Sequence, residues 1–388
     1  MHLTYCMNVH PGEQWDDVVR ATRGDATRVR TLCGGDEPFG LGLRISAAAA
    51  AELTAQPERL AAYRALLREQ SMYVFTVNAF PYGTFHGTRV KEDVYAPDWR
   101  HPRRRDYTIQ VAQILAQLLP PGVEGSISTA PLTFKAWPDS ATHREQALCH
   151  LAEAAYALWQ LEGEQERRIV LAMEPEPGCD PETIPELVSV MNELRDTGAT
   201  HLQAVHGLSR NAAVDLLRRH VGCCFDTAHQ AVEFESLADG IHALQQAGIA
   251  VGKVQVSAAI EADCSRPEAV AQLAAMQDEV YLHQVGMQRP DGSVQRWNDL
   301  PAFLADLPAL PPATARVHYH VPLFAETFGA LRSTARLVRE AAPVLLAASS
   351  HIEAETYTWQ VWKEATGEPL PLHAGLAREL QWLRALTA

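Results

Sequence analysis

The residues of this sequence able to do chemistry sit at the ends of apolar runs. RIVLAMEPEPG delivers Glu174 and Glu176, VGCCFDTAHQ delivers Asp226 and His229, ARVHYHVPLF delivers His318 and His320, and LAASSHIEAETYTW delivers Glu353 and Glu355. GKVQVSAA adds Gln255 and Ser257, NVHPGE adds Asn8 and His10, and NAFPYGTFH adds Asn78 and His86. Taken singly, a strand-end histidine reads as a structural hydrogen bond and a strand-end glutamate as a salt bridge. Brought to one rim, these carboxylates would repel, raise one another's pKa and cost stability. A divalent cation removes that conflict. The set offers oxygen and nitrogen without thiolate, which suits Zn²⁺, Mn²⁺ or Co²⁺, with Mg²⁺ also compatible. His318 and His320, two apart on a strand, face the same side and can share a metal or a substrate. Cys223 and Cys224 read as small buried apolar residues of the strand that ends in Asp226.

Positioning these groups requires a scaffold that gathers strand ends. Strand-like runs are expected at 2–9, 40–45, 72–77, 125–129, 168–173, 221–225, 252–256, 316–319 and 345–352. Helix-like stretches alternate with them, as at 47–70, 144–162, 181–197, 209–219, 236–247, 267–277 and 333–342. This alternation predicts right-handed βαβ units and a parallel sheet. So many repeats, with no GxGxxG after any strand, predict a closed (β/α)8 TIM barrel in which strand ends far apart in sequence meet on one face. Nine strand candidates are one too many for it, so at least one lies outside. EVYLHQVGM followed by QRPDGSVQRW predicts a β-hairpin inserted after the seventh strand, turning at Arg289 to Gly292. The segment around 94–107 reads as a long functional loop. One domain is expected over residues 1–388.

Composition narrows the function. A chain of 388 residues that is 47% hydrophobic can bury a full core. Its net charge of -14 disfavours a nucleic-acid partner, and WRHPRRRDY is read as a solvated loop or structural ion pairs before an anion site. Seven scattered cysteines without a CxxC pair point to reduced thiols. The N-terminus has no signal-peptide pattern and no run is long and apolar enough to span a bilayer. A cytoplasmic protein without membrane insertion is expected, with a homo-oligomer compatible with the fold.

The set EPEPG, FDTAH, VQVS, HYHVP and ETYTW resembles the xylose-isomerase-like TIM barrels, which include sugar isomerases, epimerases and endonuclease IV; FDTAH is nearest to the endonuclease IV branch. NVHPGEQW, FPYGTFHG, VKEDVYAPDWR, HYHVPLF and HIEAETYTW, in that order, resemble the EboE family of bacterial metabolite-traffic proteins. The superfamily resemblance implies Glu174, Asp226 and Glu355 as metal ligands from strands five, six and eight. It implies a histidine where this chain has Gln255, whose neutral amide is a weaker ligand; Gln255, His229, His318 and His320 complete the expected ligand set, with His318 or His320 to supply the imidazole. It further implies Glu174 and Glu355 as the acid/base pair of an isomerase or epimerase working through an ene-diolate, with Glu176 and Glu353 as supporting alternatives. His10, Asn78, His86 and Lys91 would then bind the hydroxyls or phosphate of a small polar metabolite, a sugar or cyclitol. Two rival readings follow from the same residues: a phosphoester hydrolase of endonuclease IV type using Asp226, His229, His318 and His320, and a non-catalytic metabolite carrier.

Overall fold

The structure, a computed structural model, describes all residues except 36, 87–88, 141, 360–361, 364–366, 368 and 387–388. Eight parallel strands form a nearly closed barrel. In spatial order they are His2–Tyr5, His351–Ala354, Val251–Val256, Val221–Asp226, Ile169–Met173, Gly125–Thr129, Met72–Asn78 and Phe39–Arg44. The ring closes where Cys6 bridges Gly42 and the Gly42 N–H donates to Thr4 Oγ1 at 3.0 Å. Gly42 is required here, because a Cβ would lie 1.8 Å from Glu353 Oε1 inside the barrel. These strands are legible as apolar runs because a parallel sheet covered by helices is buried on both faces.

The surplus strand candidate, 316–319, lies outside the barrel. Thr314–Val321 pairs antiparallel with Ala258–Asp263 and with Val285–Gln288, in a six-stranded sheet inserted between barrel strands seven and eight. Within it Val285–Gln288 and Val294–Trp297 form a hairpin whose turn carries Gly292 at φ +86°. The seventh strand runs into this sheet with Ser257 alone between them. The excursion is therefore a cap built on the mouth of the barrel.

Three expectations need correction. The run at 345–352 is not a strand throughout: Ala335–Ala348 is a helix and the strand is His351–Ala354. Val338, Ala341, Ala342 and Leu345 are buried at helical spacing, and Pro343 is tolerated on the outward face. The first strand ends at Tyr5, and Met7–Val9 form a 3₁₀ turn. The supposed long loop over 94–107 gives way to the helix Pro102–Leu118, with Pro102 in its first turn and the His101 side chain accepting from the Arg103 N–H. Two of the basic residues of this segment are structural. Arg104 is fully buried and donates to the carbonyls of Pro97, Ala79 and Phe80 at 2.8–2.9 Å, while Arg100 pairs with Asp98 and Asp139.

All seven cysteines are free thiols. No helix among the described residues is long and apolar enough to cross a membrane.

Candidate metal centre and cavity

Strand ends and cap converge on one buried centre. Glu174 follows the fifth strand, its N–H tied to the Thr129 carbonyl at 3.1 Å, and Glu355 follows the eighth, its N–H on the Val256 carbonyl at 3.0 Å. Asp226 closes the sixth strand and caps the next helix, with Oδ1 accepting the N–H groups of Ala228 (2.7 Å) and His229 (3.1 Å). That cap fixes the spacing of FDTAH: a carboxylate at the N-cap places the imidazole three residues on in the first turn, beside it. The cap strand Thr314–Val321 supplies His318 and His320 from above.

The three imidazoles are held alike. His229 Nδ1 faces the Pro175 carbonyl at 3.0 Å and His320 Nδ1 the Glu355 carbonyl at 2.8 Å. His318 Nδ1 faces Gln284 Oε1 at 2.7 Å; the amide of Gln284 is oriented by its own donation to the Pro177 carbonyl and to Tyr95 Oη, both at 2.9 Å. A carbonyl oxygen can only accept, so each Nδ1 carries a proton; His318 and His320, kept neutral by burial, then aim their Nε2 lone pairs into the centre, while His229 Nε2 faces the Glu176 carboxylate. Nε2 of His318 and Nε2 of His320 approach to 2.9 Å. Two lone pairs at that distance repel unless a cation lies between or beside them, and carbonyl partners on the far nitrogen are how proteins orient metal-binding histidines. Three overlapping groups have all their ligand atoms within 4.8 Å of one another: His229 with His318 and His320, Glu174 with Asp226 and His229, and Asp226 with His320 and Glu355. Glu174 Oε2 is buried with no hydrogen-bond partner. These donors fit a divalent cation.

The carboxylates are arranged differently. Glu355 Oε1 accepts from Asn8 Nδ2 (2.8 Å) and Asn78 Nδ2 (3.0 Å), and Oε2 accepts from Gln255 Nε2, which also donates to Glu174 at 3.1 Å. Gln255 Oε1 accepts from the Cys224 thiol at 2.7 Å. Gln255 thus presents donors, not a ligand oxygen, to the centre and ties the two glutamates together, unlike the ligand role expected for it. Burial, then the charges of Glu355, Asp226 and Glu176, raises Glu174 well above the ordinary range. Burial with Asp226 and Glu353 pushes Glu355 to about 8. Asp226 goes the other way: burial would raise it, but His229, His320 and the two cap N–H groups hold it low. Burial lowers His318 strongly and His320 to about 4. His229 is raised against its burial by Asp226, Glu176 and Glu355, and its Nε2 lies 3.1 Å from Glu176 Oε2.

The centre is the floor of a cavity of about 50 Å³ roofed by Phe80, Phe85, Tyr95, Tyr281, Leu282 and Tyr357. Of the expected substrate-binding residues, Asn78 alone reaches the floor. Lys91 lines the cavity, but its ammonium donates to the carbonyls of Asp278 (2.9 Å) and Tyr281 (2.7 Å) and to Asp299 Oδ2 (2.7 Å), so it fastens the roof in place of presenting a free charge. His86 bonds the Asn8 carbonyl (2.5 Å) and Tyr281 Oη (3.1 Å) on the outer side of the roof. His10 is turned away altogether, with Nε2 on Tyr5 Oη at 2.9 Å and Nδ1 3.9 Å from Asp25. Glu353 lies one layer deeper in the barrel, paired with the fully buried Lys253. Sequence reasoning missed Tyr95, Gln284 and Tyr281, which carry no local signal because they arrive on cover segments, and Tyr357, whose position two residues after Glu355 in ETYTW could have revealed it. It also missed Lys253, which the two-residue spacing from Gln255 could have revealed as facing the same interior.

No protein-family model and no curated protein matches the sequence. Forty-three chains of solved structures match. A xylose isomerase-like TIM barrel protein from Mycobacterium smegmatis, in complex with magnesium, is similar over 100% of this chain and 96% of its own, at 11% identity and a TM-score of 0.51. The 3-keto-D-glucoside 4-epimerase YcjR from E. coli covers 99% of each chain at 13% identity and a TM-score of 0.48. An L-ribulose 3-epimerase covers 100% of this chain and 96% of its own at 10% identity and 0.49. At these identities the likeness is one of fold.

Proposed function

We propose that this chain, which has the xylose-isomerase-like TIM-barrel fold, is a metal-dependent isomerase or epimerase that moves a proton on a small uncharged polyhydroxyl compound, a sugar or cyclitol. The observation carrying this reading is the pairing of Glu174 with Glu355 across Gln255 on the floor of a closed cavity. The two carboxyls stand side by side on the floor, held by one amide, which is the placement that proton exchange at a substrate carbon asks of an acid–base pair. A bound divalent cation would supply positive charge to polarise a substrate carbonyl. Asp226, His320 and Glu355 would hold it, with Glu174, His229 and His318 alongside; His320 takes the place of the imidazole missing at Gln255. Asn8 and Asn78 orient Glu355, Gln255 holds it level with Glu174, and the aromatic roof excludes water.

Charge favours an uncharged substrate over the phosphorylated one of a hydrolase. Lys91 is the sole lysine or arginine among the described cavity-lining residues, and its three N–H donors are all engaged. The sequence words shared with the EboE family support placing the reaction in a secondary-metabolite pathway of that type.

Elemental mass spectrometry of untagged protein, paired with solvent-deuterium incorporation into a panel of sugars and cyclitols, tests the proposal. About one Zn, Mn or Co per chain with deuterium at carbon is the expected result, and Asp226→Ala and Glu355→Ala should each lose the metal while staying folded. Metal retained in both variants would refute the ligand assignment. Bound metal without exchange would favour a carrier, and two or three ions per chain with phosphoester cleavage would favour a hydrolase.

A further inference from the structure

The cavity above the centre is too small for the compound proposed to react there. About 50 Å³ admits a few water molecules, whereas pockets for organic ligands run to roughly 300–1,000 Å³. A second cleft of about 960 Å³ lies outside the roof. Tyr281 and Tyr357 line both spaces. Their rings meet edge to face with centroids 5.6 Å apart, and Phe85, a wall of the inner cavity, packs on each at 5.2 and 5.5 Å. The three rings are a partition between two compartments, and it rests on the centre: the Tyr357 ring lies 4.6 Å from that of His320. On the cleft side the walls mix apolar Met276, Val280 and Leu372 with Gln272 and Gln277 and with the charged Asp278, Glu279 and Lys363.

Resting on the reading of the inner site given above, we infer that the outer cleft is a second subsite, and that the substrate is a two-part compound with an uncharged head. Its polyhydroxyl head passes the Phe85–Tyr281–Tyr357 partition to reach Glu174 and Glu355. Its non-reacting group, attached to the head, stays in the cleft. The shared walls set the order of the two parts: only what lies against Tyr281 and Tyr357 is continuous with both spaces. Aromatic partitions of this kind open by ring rotation, at a modest cost because each edge-to-face contact is worth only about 0.5–1.5 kcal/mol. The Lys91 clasp on the segment behind Tyr281 keeps the opening local.

Two measurements on the full chain test this, and the first needs neither metal nor turnover. In metal-free protein, carbethoxylation of His318 and His320 by diethyl pyrocarbonate is followed by peptide mass spectrometry, with the exposed His242 as internal reference. Labelling of the two buried histidines should be at least tenfold slower than that of His242. Tyr281→Ala and Phe85→Ala should each raise it severalfold, and Ala275→Trp, which fills the cleft wall, should lower it. Unchanged labelling in all three variants, with native circular dichroism, overturns the route. The second measurement titrates methyl and 4-nitrophenyl β-D-glucoside into metal-loaded protein by calorimetry. The larger conjugate should bind at least tenfold more tightly, and Ala275→Trp should erase the difference. Equal affinity, whether both bind or neither does, overturns the subsite. Failure of the inner-site reading shows separately, as absent metal or absent deuterium exchange with the labelling pattern intact.

Discussion

Glu379 offers a quantitative test of how the C-terminal helix Leu372–Ala385 holds the site. Its side chain is fully buried, and Oε1 accepts from Thr356 Oγ1 at 2.7 Å and from the Leu323 N–H at 3.1 Å, fixing the residue next to Glu355 and the turn after the His318–His320 strand. Oε2 has no partner. Burial raises the carboxyl from its ordinary 4.5 to about 7, against the two hydrogen bonds that favour ionisation. The native state therefore keeps a proton that the unfolded chain has released, so stability from this group is complete below about pH 4.5 and is lost as pH rises through about 7. At about 1.4 kcal/mol per pH unit the loss is on the order of 3 kcal/mol, with no discount for solvent because the group is wholly buried. Glu379→Gln keeps the acceptor and cannot ionise. Urea unfolding of both proteins in chelator from pH 4.5 to 9 should show the wild type ahead at acidic pH, by the cost of burying an unpaired amide, and behind above pH 8. Subtracting the two curves cancels every other titrating group. Parallel curves across that range would refute the assignment of the buried proton to Glu379.

Lys253→Met should cost roughly 3–5 kcal/mol by stranding Glu353 as a buried charge, and adding Glu353→Leu should recover most of it; equal loss in single and double variants by urea melts would show that the ion pair is not what holds this layer. Lys91→Met removes three hydrogen bonds from the roof and should speed amide exchange over 278–283 at least tenfold by mass spectrometry, leaving the barrel strands unchanged; uniform exchange across the chain would contradict the clasp. Gln255→Glu replaces an amide donor by a further carboxyl between Glu174 and Glu355. Metal-free protein should melt lower than wild type while metal-loaded protein gains, widening the interval between the two melting temperatures; an unchanged interval would mean Gln255 stands apart from the charge balance of the centre.

Much of this architecture could be read from residue types because the physics was local. Val221–Phe225 is apolar at every position since both faces of a barrel strand are covered, and the first polar residue after it, Asp226, has to lie where covering ends. The same reasoning found Glu174 and Glu355. It failed where chain direction after the strand mattered. Nothing local tells that the chain past Val9 turns His10 toward Tyr5, or that Lys91 reaches Asp299 across 208 residues. The run Val344–Leu346 satisfies a strand pattern and a buried helix face alike, and only the spacing of Val338, Ala341 and Leu345 decides between them. His318 and His320 were legible as a pair on one strand face, but the antiparallel sheet that carries them over the barrel was not.

That sheet gives the centre two owners. Glu174, Asp226 and Glu355 belong to the barrel, whereas His318, His320 and the Gln284 that orients one of them belong to an inserted segment whose strands pair with one another and not with the barrel. Two of the three imidazoles can therefore change with the insertion while His229 and the carboxylates stay with the barrel, and what the insertion gives up is a few contacts to barrel loops, such as His320 on the Glu355 carbonyl and Gln284 on the Pro177 carbonyl, with no strand pairing lost. A scaffold so divided can try new chemistry at its mouth while the part that folds it stays fixed.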